Sequence, residues 1–227
     1  MKKMILTGLL ILTLCGPLFA GPDLRGLSFG VGPGTLFTSR PVTYDNGEYY
    51  YHDIYLNLTF DIKFNRIFRN GFTFINDLSY GFLLAGQEKL GIKGGTSALN
   101  KYDIGDYSYN SVIHYTAAFG YSPINKKHVY LSLAAGPSFS WVGMKNKGSH
   151  ADLKTPGTDF YSHIIIGTSL IMDMGFFITK TLYINVGLRA NWDFICYEVP
   201  ANVYLDSLEG YSQFTLIPTF GIGFHFR

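Results

Sequence analysis

Ser149-His150-Ala151-Asp152 brings together, within four residues, the side-chain types that nucleophilic hydrolysis uses: a hydroxyl, a base and an acid that orients the base. Such a set works only when each member lies within hydrogen-bond reach of the next, and neighbours on one loop rarely meet that geometry. The six histidines are scattered and none sits at zinc-ligand spacing, so no metal and no other cofactor is expected. A larger constellation runs along the whole chain. Asp53, Asp61, Asp77, Asp159, Asp173 and Asp193 occur with Lys63 and Arg189, and with the lone histidines His114 and His163, on the polar side of alternating segments. Inside one narrow interior these groups would have two uses. They would form an internal network with Arg189 paired to one or two aspartates, because a buried charge is costly unless paired and hydrogen-bonded. Alternatively, their acidic excess would line a narrow, cation-preferring passage.

The segments that carry these residues share one pattern. From Asp53 to Phe64, Ile54, Leu56, Leu58, Phe60, Ile62 and Phe64 take one parity while Asp53, Tyr55, Asn57, Thr59, Asp61 and Lys63 take the other. Period-two alternation is the mark of a strand with one apolar and one polar face. Leu182 to Cys196 and Tyr211 to Phe226 repeat it cleanly, and 27–37, 72–84, 107–121, 129–141 and 159–177 repeat it with less purity. In 159–177 the run Ile164-Ile165-Ile166 breaks the alternation, and a helix is the competing reading there. β-branched residues, glycines and Asp173 favour the strand. Across these eight segments no Asp, Glu, Lys or Arg falls on the apolar face. A basic side chain facing lipid at mid-bilayer costs about 2–4 kcal/mol, so a lipid boundary would produce that exclusion. Leu36, Ile75, Leu83, Val112, Ile165 and Ile195 are expected on the polar face, as apolar lining. Asp159 and Asp193 are expected near the outer ends, in water.

The connections alternate in length. Those at 65–71, 122–128 and 178–181 are short, and those at 38–50, 85–106, 142–158 and 197–210 are longer and richer in Gly, Asn, Asp, Ser and Lys. Short inner turns and long outer loops belong to transmembrane barrels. A secreted barrel with apolar interior and polar exterior also alternates. The polar faces here are Ser, Thr, Asn, Gly, Tyr and Ala with almost no Lys or Glu, which suits a crowded interior. Tyr107, Tyr109, Tyr115, Phe119, Tyr121, Trp141, Trp192 and Phe226 fall near strand ends on the lipid-facing parity, where aromatic girdles form.

Composition points the same way. Of 227 residues only 15% are charged, against about 25% in an ordinary soluble domain. Hydrophobic content of 47% excludes disorder. Lys2 and Lys3, the apolar stretch 4–14 and Leu18-Phe19-Ala20 before Gly21 form a secretory signal peptide cleaved between Ala20 and Gly21. The competing reading makes Cys15, in Leu12-Thr13-Leu14-Cys15-Gly16, a lipidation site. Cleavage leaves 16 basic and 16 acidic residues, which gives no support for nucleic-acid binding, and one cysteine, Cys196, which excludes an internal disulfide. The expected organisation is therefore a signal peptide at 1–20 and a single domain at 21–227.

At the end of the chain, Thr219-Phe220-Gly221-Ile222-Gly223-Phe224-His225-Phe226 places Gly221, Phe224 and Phe226 in a polar-x-Gly-x-x-aromatic-x-aromatic pattern. This resembles the signal by which outer-membrane barrels are recognised for assembly, except that Arg227 follows the last aromatic. Residues 24–227 as a whole resemble the small eight-stranded outer-membrane proteins, the group that includes the OmpX, OmpW and OmpA membrane domains. The resemblance implies an all-β, eight-stranded antiparallel up-and-down transmembrane β-barrel in the outer membrane of a Gram-negative-type envelope. It also implies outer-membrane lipids, including lipopolysaccharide-type lipids, and the outer-membrane assembly machinery as partners. Lipid A deacylases and palmitoyl transferases on this architecture use Ser and His at the outer leaflet, but no matching signature surrounds Ser149 and His150. The expected function is a non-enzymatic surface anchor whose loops at 38–50, 85–106, 142–158 and 197–210 meet envelope or host molecules. The alternative is a narrow channel for small hydrophobic or cationic solutes, as the OmpW resemblance implies.

Overall fold

The computed structural model describes residues 21–44, 47–92, 98–102, 107–146, 160–199, 206–207 and 212–226, with side chains at 21–39, 54–85, 111–143, 162–197 and 212–226. Ten strands follow in chain order: β1 (Leu24–Tyr44), β2 (Gly47–Ile67), β3 (Phe72–Ile92), β4 (Ala98–Tyr102), β5 (Tyr107–Asn125), β6 (Val129–Asn146), β7 (Phe160–Phe177), β8 (Leu182–Val199), β9 (Asp206–Ser207) and β10 (Ser212–Phe226). Eight of them form the wall. Each pairs antiparallel with its neighbour in the order β1-β2-β3-β5-β6-β7-β8-β10, and β10 pairs back on β1, closing the barrel. The short β4 folds onto β3, and β9 onto β8.

The faces settle which side meets water. Leu170 is 63% exposed, whereas Asp173 on the opposite parity of the same strand is 0% exposed. On β2, Ile54, Leu56, Phe60 and Ile62 point out while Tyr55, Asn57, Thr59, Asp61, Lys63 and Asn65 are buried within. A soluble barrel would reverse this, so the wall is built for lipid. Tyr115, Phe119, Trp141, Trp192 and Phe226 are likewise exposed on the outer face. Tyr107 and Tyr109 lie outside the described side chains. β7 holds the strand reading of 159–177, with Ile165 inward and Ile166 outward.

Two expectations about the wall are corrected. The stretches read as outer loops are in part continued strand: β1 and β2 stay paired from Leu24 opposite Ile67 up to Tyr44 opposite Gly47. β3 runs to Ile92, β6 to Asn146 and β8 to Val199. Side-chain alternation marks only the lipid-crossing span. Beyond it, backbone N–H and C=O groups still gain by pairing, whatever the side chains are. The second correction concerns the top of β8. Ile166 faces Ile195 and Gly167 faces Asp193, so Phe194 is an extra residue in the ladder. The bulge inverts the parity beyond it. Ile195 turns out to lipid, and Cys196, expected on the lipid face, is buried inside.

Four prolines sit in the wall with exposed side chains: Pro33, Pro123, Pro137 and Pro218. Proline has no N–H for a ladder. In the closing seam, pairing runs to Val31 opposite Phe220 and resumes at Thr35 opposite Leu216, so it lapses where Pro33 and Pro218 face each other. The β2–β3 turn is closed by the Gly71 N–H donating to Phe68 O at 2.8 Å, with Gly71 at φ 81°, a conformation open to glycine.

Leu188 lies on the lipid side of β8 between Met172 and Pro218. Leu188→Lys should cost about 2–4 kcal/mol and reduce the yield of heat-modifiable folded protein on unboiled gels. Folding at the parental yield would contradict the assigned register.

Candidate functional site in the barrel lumen

β8 passes every level of the interior. Its inward residues, Tyr183, Asn185, Gly187, Arg189, Asn191 and Asp193, follow one another at about 7 Å intervals along the strand. At the short-turn end Tyr183 joins Leu24, Ile67 and Tyr130 in a buried cluster, with Phe177 packed against it. The Tyr130 ring meets Tyr183 edge-on at 5.7 Å. At the long-loop end Cys196 joins Leu36, Tyr55, Val112, Val142 and Ile165, with Leu83 alongside. Ile75, Ala118, Ala134 and Ile171 form a third apolar patch on the β3–β7 side. Charges occupy the space between the two end clusters.

Two cationic side chains cross that space. Lys63, on β2, reaches β7, where Nζ donates to Asp173 Oδ1 at 2.8 Å; Asn185 Oδ1 lies 3.4 Å away and Asp61 Oδ2 3.5 Å away. Asp173 also accepts hydrogen bonds from Asn185 Nδ2, Asn65 Nδ2 and the Tyr130 hydroxyl, each at 2.9 Å. Arg189 crosses from β8 to β3, donating from Nη1 to Asp77 Oδ1 at 2.7 Å and from Nη2 to Ser79 Oγ. In the eight-membered ring β2 and β7 are four strands apart, as are β3 and β8, so both pairs span the full diameter. They run in opposite directions. Lys63 faces Asp77 in the β2–β3 ladder, so unlike charges also neighbour each other along the wall.

The wall is thinned to admit these side chains. A Cβ on Gly187 would stand 2.7 Å from Lys63 Nζ, and one on Gly30 would overlap Asp61 Oδ1. The absence of side chains at these two points is what lets the ammonium and the carboxylate lie flat against the backbone.

The remaining expected residues fall into smaller groups. Asp193 is fully buried, where Ser138 Oγ donates to Oδ1 at 2.7 Å and Gln213 Nε2 to Oδ2 at 3.1 Å. The expectation that Asp193 stands in water at the rim is therefore corrected. Its position on β8 lies below the outer apolar cluster, which separates it from the rim. His114 Nδ1 shares a 2.6 Å hydrogen bond with Ser140 Oγ, and both residues are 0% exposed beneath Val112 and Val142. His163 is buried near the long-loop end of β7. Thr116, Ser169 and Asn191 form a neutral chain between these groups. Asp53 and Asp159 lie outside the described side chains, as do Ser149, His150 and Asp152. Gly221 is buried and passes close to the Phe29 carbonyl, while Phe224 and Phe226 are exposed on the lipid face of the last strand. Of the expected cleavage site only Gly21 is described.

Sequence reasoning brought the charges to one face but missed the neutral partners Asn65, Ser79, Tyr130, Ser138, Asn185 and Gln213. Each of them stands on the inward parity of its own strand, which was the available signal. Among the described side chains four carboxylates (Asp61, Asp77, Asp173, Asp193) and two cations (Lys63, Arg189) face the lumen. A void of about 10 Å³ lies in the short-turn cluster between Asn65, Tyr130, Tyr183 and His225, room for about one water.

No protein-family model matches the chain, and no curated protein matches it by sequence. Among solved structures it is similar to the outer membrane protease OmpT from Escherichia coli, at 11% identity and a TM-score of 0.54, over 90% of this chain and 97% of that one. It is also similar to the outer membrane protein OprG from Pseudomonas aeruginosa, at 10% identity and a TM-score of 0.53, over 92% of this chain and 99% of that one. The likeness is one of fold, and it agrees with the chemistry of the two faces: the chain is a closed, eight-stranded barrel of the outer-membrane type.

Removing one partner of a buried ion pair leaves the other charge uncompensated, at about 3–5 kcal/mol. Arg189→Met should lower unfolding stability in lipid vesicles by that amount, and adding Asp77→Leu should restore most of it. A loss below about 1 kcal/mol, the range of an exposed pair, would show that Arg189 is solvated.

Proposed function

We propose that the chain is a non-enzymatic anchor of the outer membrane, its lumen plugged, which presents its long-loop end to envelope or host molecules. The observation that carries this reading is the filling of the interior. Two ion pairs cross its diameter between an aromatic cluster at one end and an aliphatic one at the other. An eight-stranded barrel is only wide enough for side chains to fill it or to hold one small ligand, and here the side chains take that space. The part of the molecule left to meet partners is the outer rim, which carries the segments 38–50, 85–106, 142–158 and 197–210 on a rigid wall.

An enzymatic reading has less support. OmpT is a protease, but in this chain the hydroxyl and imidazole of Ser140 and His114 meet at a level sealed from substrate by Val112 and Val142. The passage reading draws on one specific observation, the excess of four carboxylates over two cations. It requires both crossing pairs to open together.

Single-channel recording on residues 21–227, refolded and accepted only when the unboiled band migrates differently from the boiled one, separates the readings. The anchor predicts a folded barrel that stays electrically silent. Discrete, cation-selective steps would overturn it in favour of the passage and make Asp61, Asp77 and Asp173 its lining.

A further inference from the structure

The short-turn end carries a charge pattern that neither the lumen nor the anchor role uses. Its described ionisable side chains are Asp23, Arg25, Arg66, Arg69, Lys126, Lys127, His128, Lys180 and His225. Six are Lys or Arg and one is a carboxylate, and that carboxylate, on Asp23, stands 4.0 Å from Arg25. The cations are not gathered on one side. Arg25 lies at the start of β1, Arg66 at the end of β2 and Arg69 in the β2–β3 turn, Lys126 and Lys127 occupy the β5–β6 turn, and Lys180 the β7–β8 turn. Taken in ring order, they circle the whole barrel.

The same rim is apolar on its outer side. Phe72 is 43% exposed, Phe119 53%, Ile178 61% and Phe226 49%, with Ile124 at 36%. The Arg66 guanidinium lies 4.4 Å over the Phe68 ring, holding a cation against the aromatic edge of the wall. Tight backbone bonds fix the turns: Phe68 N–H to Phe72 O at 2.8 Å, Lys126 N–H to Val129 O at 2.9 Å and Ile178 N–H to Leu182 O at 2.9 Å. The lysines and arginines therefore stand on strand ends and fixed turns that border the apolar band.

We infer that this rim is a binding ring for anionic phospholipid headgroups in the leaflet that surrounds the short turns. A protein partner would call for a one-sided patch with its own apolar centre. A closed ring of cations, bordered by exposed aromatic and aliphatic side chains, instead fits an annulus of lipids whose chains contact the wall and whose phosphates meet the Lys and Arg side chains. Short turns face the periplasm in barrels of this type, which assigns the ring to the inner leaflet. The inference rests on the barrel fold and not on whether the lumen is plugged.

The chain has two tryptophans, Trp141 and Trp192, both in the long-loop half of the wall. This allows a local test with the refolded 21–227 chain in vesicles of phosphatidylcholine and phosphatidylglycerol. With Trp141→Phe and Trp192→Phe as background, Phe72→Trp places a reporter on the basic rim. Quenching by brominated phosphatidylglycerol relative to brominated phosphatidylcholine then gives the relative affinity at that rim. Phosphatidylglycerol should bind about threefold more strongly or better, and the preference should fall towards one in high salt and in Arg66→Gln/Arg69→Gln. In the parent chain, read through Trp141 and Trp192, the same two substitutions should leave the ratio unchanged. A ratio of one at Phe72→Trp would overturn the proposal. So would a preference that survives loss of both arginines in protein still heat-modifiable on gels. If that variant fails to fold, Lys126→Gln/Lys127→Gln read from Phe119→Trp tests the next arc of the ring by the same criterion.

Discussion

A carboxylate buried inside a narrow barrel must find a donor, because a buried charge is costly unless paired and hydrogen-bonded. The chain meets this constraint with two long cations thrown across the lumen, Lys63 to Asp173 and Arg189 to Asp77. Much else in the interior follows from those two crossings. Gly187 and Gly30 clear space for the Lys63–Asp61 side chains. Asn65, Asn185 and Tyr130 fill the remaining acceptor sites of Asp173, because an ion pair in low dielectric offsets its desolvation only when its lone pairs are also satisfied. The apolar clusters at either end keep water away from the pairs, which strengthens them and fills the lumen at the same time.

The two ends of the barrel divide the remaining chemistry. At the long-loop end the strands run on past the alternating span, β1 and β2 staying paired up to Tyr44 opposite Gly47. The opposite rim is short, tightly hydrogen-bonded and ringed with cations. The wall departs from regularity at the bulge of β8 and near Pro33, Pro123, Pro137 and Pro218, where a residue without an N–H cannot donate to the ladder. The seam between β1 and β10 joins the first strand to the last, and it carries Pro33 and Pro218 facing each other.

Most of this wall was legible in the sequence because a period of two and an exclusion of charge from one parity are one-dimensional signals. β2 shows it plainly: every residue from Ile54 to Phe64 has the orientation that its parity implies. The misses have equally definite causes. Phe194, Ile195 and Cys196 are all apolar, so the bulge at Phe194, which inverts the two residues after it, leaves no trace in hydropathy. The strand extensions at 38–50 rest on backbone pairing, which side-chain pattern does not encode. Asp173 and Lys63 are 110 residues apart and Arg189 and Asp77 are 112 apart, so strand parity places all four inside but says nothing about which meets which. That choice depends on closure, which sets β2 opposite β7 and β3 opposite β8.

The claim that pairing across the diameter holds the lumen shut is tested most directly by a double-mutant cycle on the pair not yet perturbed, Lys63→Met and Asp173→Leu, followed by reversible urea unfolding in lipid vesicles. Pairing across the lumen predicts a coupling of about 2 kcal/mol or more, with the double variant more stable than either single one. Single effects that add to within about 0.5 kcal/mol would contradict it, because Lys63 and Asp173 would then act independently and the lumen would be held by something other than its crossing charges.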